Sequence, residues 1–152
     1  MKTKRLFPIL LLILFSGCNK NEIEVFDHPF IHIMYEGASS ITVSSKATVL
    51  KEYNIYLSSK PLSQNLIVDY EVVVGDGLQE GVDFEMITQG NSLTFLPGIY
   101  EMPVRIKWLP NTLDPSKDNS LIIRITGNNL GFTIGLPGPD HNQTELVITK
   151  IE

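Results

Sequence analysis

Apolar and polar residues alternate with a period of two along most of the chain. Leu66, Val68, Tyr70, Val72 and Val74 share one side of an extended segment, and Asp69 and Glu71 take the other. This is the signature of a half-buried strand. Met102, Val104, Ile106 and Trp108 alternate in the same way with Pro103, Arg105 and Lys107, and Leu121, Ile123 and Ile125 with Arg124 and Thr126. Shorter runs rich in β-forming residues lie at 30–35, 41–43, 47–58, 83–87, 92–96 and 146–151. Gly75-Asp76-Gly77, Gly90-Asn91 and Pro97-Gly98 punctuate them as turns. No stretch carries a helical period. The pattern predicts an all-β domain over residues 29–152, a β-sandwich of about seven or eight strands.

The first 17 residues break this pattern. Lys2, Lys4 and Arg5 precede an apolar run over 6–15, interrupted by Pro8, and Ser16-Gly17-Cys18 follows at once. The run is too short for a comfortable membrane-spanning helix and has the order of a secretory signal. Small residues before a cysteine resemble the lipobox of bacterial lipoproteins. Phe15 departs from the leucine common there, a looser form that resembles Bacteroidota lipoproteins. The resemblance implies removal of 1–17 and acylation of Cys18, palmitate being a typical chain. It also implies a lipid-anchored protein of the outer membrane. Residues 18–28 then form a polar tether, and Glu22 and Glu24 partly match the surface-export signals of such lipoproteins, which implies the cell surface. Several acyl chains are required for firm anchoring, at about 0.8 kcal/mol per buried methylene.

Composition narrows the partners. The formal net charge is −5, and three of the twelve basic residues belong to the signal. Without a clustered basic face, a nucleic-acid partner is not expected. Cys18 is the one cysteine, so no intramolecular disulfide can form.

Three segments in order, Gly81-Val82-Asp83-Phe84-Glu85, then 91–98 (Asn-Ser-Leu-Thr-Phe-Leu-Pro-Gly), then Val104-Arg105-Ile106, resemble the Calx-β pattern. That family has a G-x-D-Y step, a G-x-L-x-F-x-P-G step and then an alternating apolar strand. The resemblance implies an immunoglobulin-like sandwich. Pro97 and Gly98 favour a tight reversal between adjacent strands, while Leu93 and Phe95 fill the core. The family also implies Ca²⁺ as a possible ligand at one end of the sandwich, on Glu36 and Asp83. Ca²⁺ takes six to eight oxygens, so further carboxylates must converge. Where the family carries its other acidic runs, this chain has Trp108-Leu109-Pro110 and Thr149-Lys150-Ile151-Glu152. Asp114 and Asp118 are partial substitutes on a nearby loop. The alternative is that Asp83 caps a turn and Glu36 is solvated; otherwise no cofactor is expected.

His28, His32 and His141 show no zinc-ligand spacing, and His32 is expected on a sheet face. No nucleophile-elbow, metalloprotease or phosphate-loop motif is present. Trp108 is expected in the core with Met102, Val104 and Ile106; Tyr53, Tyr56 and Tyr100 are freer to meet a sugar face. The apolar segment 131–139 is expected to pack across one end of the sandwich or to meet a partner. Together these readings point to a non-catalytic, lipid-anchored accessory or adhesion-type domain. It would act through protein or glycan contacts, and resembles the small lipoproteins found beside Bacteroidota glycan-uptake systems. The alternatives are a Ca²⁺-dependent binding module and a small glycan-active hydrolase.

Overall fold

A computed structural model describes residues 28–152. The signal over 1–17, Cys18 and the tether up to residue 27 lie outside the described residues. Ten strands form the domain: β1 (Phe30–Ile33), β2 (Ser40–Ser44), β3 (Val49–Ser58), β4 (Leu66–Val74), β5 (Phe84–Met86), β6 (Ser92–Phe95), β7 (Glu101–Trp108), β8 (Ser120–Asn128), β9 (Thr133–Ile134) and β10 (Glu145–Ile151). They make two five-stranded sheets, in the orders β5-β7-β3-β1-β9 and β2-β10-β8-β4-β6. The described residues contain no helix, so the β-sandwich expected from the alternation is the observed fold.

The strand count is higher than the expected seven or eight because short pieces complete the sheet edges. β9 has two residues and pairs in parallel with β1, Phe30 opposite Thr133 and Ile31 opposite Ile134. It arises within the apolar segment 131–139. Phe132 and Ile134 pack against the core there, so part of that segment is sheet edge. Such a short strand carries no periodicity of its own and is set by its neighbours.

Alternation places the core between the sheets. Ile31, Ile33, Tyr53, Ile55, Phe84, Val104, Ile106 and Trp108 face inward from the first sheet; Leu66, Val68, Phe95, Leu121, Ile123, Leu146 and Ile148 meet them from the second. The Pro97-Gly98 turn has the expected local form, with Gly98 at φ 88° and the Ile99 amide donating to the Leu96 carbonyl at 2.9 Å. Its role differs from the expectation. β6 and β7 belong to different sheets, so the turn carries the chain across the sandwich instead of closing a hairpin.

Candidate functional site

Among the described residues, the buried polar and charged side chains are Ser45, Asp83 and Lys150, and all three meet at one end of the sandwich. Asp83 immediately precedes β5, whose Phe84 pairs with Trp108 of β7. Lys150 sits on β10 in phase with Leu146 and Ile148, so the strand's own alternation turns it inward. Its side chain is fully buried.

The lysine Nζ donates to Asp83 Oδ1 at 2.9 Å, to the Asp83 carbonyl at 3.2 Å and to the Leu109 carbonyl at 2.8 Å. An ammonium has three N–H donors, and this cradle uses all of them. Asp83 Oδ1 also accepts from Asn111 Nδ2 at 3.1 Å, and Oδ2 from the Gln79 amide at 3.0 Å. Ser45 joins through backbone: its amide donates to the Ile151 carbonyl, and its carbonyl accepts from the Asn111 amide. Burial by itself would push the Asp83 carboxyl up. The hydrogen bonds from Lys150, Asn111 and Gln79, with the lysine's charge, outweigh it and hold the group below its ordinary value.

Glu36 takes no part in this network. It is exposed at φ 50° in the turn closed by the Tyr35–Ala38 bridge. Asp114 accepts from the Ser116 amide and hydroxyl, and Asp118 from the Ser120 amide, so both shape their own loop. Among the described residues no group of three or more His, Cys, Asp or Glu side chains is placed to hold a metal. The residues present do not fit Ca²⁺ as the resemblance draws it: the central carboxylate is already bonded to a buried cation.

The aromatics divide differently from the expectation. Trp108 is in the core as expected, and its indole N–H donates to Tyr53 Oη at 2.8 Å. Tyr53 is therefore not free for a ligand: it is fully buried, and burial, only partly offset by the Trp108 bond, pushes its phenol up to about 12. Tyr100 is exposed. Tyr56 lies on the outer sheet face, stacked on His32 with ring centroids 5.4 Å apart. His32 is thus the sheet-face residue its pattern implied. Burial lowers its pKa, and its Nδ1 is buried without a hydrogen-bond partner among the described residues.

A concavity of about 410 Å³ opens away from Asp83, lined by Pro29, Ser58, Ser59, Pro61, Leu62 and Phe132 among others. Among the described residues no carboxylate lines it.

The signal for Lys150 was present in the sequence as a lysine in phase with two core residues. Asn111 gave none, because loop geometry alone brings it to Asp83.

No model of a known protein family matches the sequence, and no curated protein is similar enough to count as a relative. Among solved structures, the chain is similar to the crystal structure of CBD12 from CALX1.2, a Calx-β structure, with a TM-score of 0.55 and 17% identity. The match covers 80% of this chain and 44% of that one, so the chain spans less than half of that structure's length. A non-cellulosomal cohesin from the archaeon Archaeoglobus fulgidus also matches, at 13% identity over 82% of this chain and 92% of that one, with a TM-score of 0.29. The fold is therefore that of a Calx-β-like, immunoglobulin-like sandwich.

Proposed function

We propose that this protein is a non-catalytic binding domain tethered to the bacterial outer membrane by lipid on Cys18. It faces the cell surface and acts through protein or glycan contacts. The observation that carries the tether is the order of the first residues: basic Lys2, Lys4 and Arg5, an apolar run, then Ser16-Gly17-Cys18. The non-catalytic part is supported by the use made of Asp83. It is the buried carboxylate among the described residues, and both its oxygens are committed to holding the fold. The Calx-β-like fold agrees with a binding module. A place beside a glycan-uptake system belongs to the same reading, through the lipoprotein resemblance.

Cys18→Ser tests the anchor. The variant should lose palmitate labelling and leave the membrane fraction. Unchanged fractionation would overturn the anchoring. On intact cells, protease should reach the wild-type domain; full protection would place it on the inner face. Glycan-array binding by the protein would assign the ligand class to sugars, and a blank array would direct the reading to protein partners.

A further inference from the structure

The Lys150 cradle has the composition of a small cation site. Three oxygens converge on Nζ within 3.2 Å: one carboxylate and two backbone carbonyls. The carbonyls belong to Asp83, just before β5, and Leu109, just after β7, both strands of the first sheet, whereas Lys150 belongs to β10 in the second. We infer that the Lys150 ammonium is a built-in cation, which closes this end of the sandwich and makes the domain's integrity independent of Ca²⁺.

The chemistry is that of substitution. Two carbonyls and a carboxylate directed at one buried point need positive charge there, because an unpaired buried carboxylate is strongly disfavoured. A metal would satisfy them and so does an ammonium. Unlike a metal, the ammonium cannot dissociate. A divalent ion entering the same cradle would have to displace Lys150 into the core or sit against its charge. The network beyond it is already closed by Asn111 and the Gln79 amide, which occupy the remaining reach of the carboxylate. The inference goes beyond the proposed tethered binding role and is independent of it. Loss of anchoring in Cys18→Ser would leave it untouched.

The test uses the full chain purified in detergent, melted in millimolar Ca²⁺ and in EDTA. The wild-type midpoint should be the same in both, within about 1 °C, because a ligand selective for the folded state would raise it by several degrees. Lys150→Met should lower the midpoint by roughly 10 °C or more. Pairing it with Asp83→Asn should recover part of that loss, since the lone charge is then removed. A Ca²⁺-dependent rise in the wild type, abolished by Asp83→Asn, would overturn the inference. So would a Lys150→Met protein as stable as the wild type. If that variant does not accumulate, the wild type still decides the matter by NMR. A slowly exchanging Lys150 ammonium signal, unmoved by Ca²⁺, supports the internal cation, and rapid exchange with water refutes it.

Discussion

Ion pairs occur in two very different settings in this domain. On the outer face of the second sheet, Arg124 of β8 reaches Glu71 of β4 at 2.8 Å and Glu145 of β10 at 2.7 Å, forming a cross-strand ladder open to water. At the end of the sandwich, Lys150 and Asp83 make a pair of similar length, 2.9 Å, with both side chains buried. The distances are nearly the same and the surroundings are not. Water screens the ladder and can replace either partner, so little depends on it. Lys150 and Asp83 are almost wholly removed from solvent, and each partner left alone would be a buried, uncompensated charge. Burial and completeness of hydrogen bonding, not contact length, decide which pair holds the fold.

The largest effect should come from breaking the inner pair. Asp83→Ala leaves Lys150 facing carbonyls alone and should cost about 3–5 kcal/mol in denaturant unfolding. A loss under about 1 kcal/mol would mean that the lysine finds water and that the two settings are alike. Next comes the neutral buried contact between the same sheet's strands. Tyr53→Phe strands the Trp108 indole N–H and should cost about 1–3 kcal/mol, with a shift in tryptophan fluorescence.

Acid should separate two groups. The carboxyl of Asp83 ionises more readily folded than unfolded, so its contribution is fully present above the ordinary carboxylate range near about 4 and is lost as pH falls below it. His32 also loses stability with acid, for a different reason. Its folded pKa is lowered, so below about 6.5 the unfolded chain binds a proton that the folded one refuses. Denaturation midpoints followed against pH should therefore fall in two stages. Asp83→Asn should shrink the lower stage, to which Asp114, held below its ordinary value by the Ser116 hydrogen bonds, also contributes, and His32→Gln should remove the upper. The smallest effect belongs to the outer ladder: Glu71→Gln should leave the denaturation midpoint unmoved at moderate salt.

Much of the fold was legible because the long strands bury one face. Alternation in β4, β7 and β8 needs no long-range information, and it also placed Trp108 in the core. Sheet order was not legible. That Pro97-Gly98 crosses between sheets depends on which strands β6 and β7 find as neighbours, which a turn signal does not encode. β9 was hidden because two residues have no period. The site was half legible. Asp83 stood out through the family pattern, but its partner was sought among carboxylates, while the alternation of Leu146, Ile148 and Lys150 was already pointing a cation inward. Tyr53 was misplaced for the converse reason: a hydroxyl suggests exposure until a buried indole is found to satisfy it.

The position of β10 bears on how the chain acquires its structure. β10 lies between β2 and β8, parallel to the first and antiparallel to the second, with Val147 opposite both Ser40 and Ile122. Ser40 and Val147 are neighbours in space although nearly the whole described domain separates them in sequence. Contacts of this kind are slow to form, because the chain entropy of a long loop is lost before they repay it. Until β10 docks, β2 lacks its partner, β8 has an open edge and the Asp83 cradle has no cation. The step that rigidifies the sandwich therefore waits for β2 and β10, far apart along the chain, to meet.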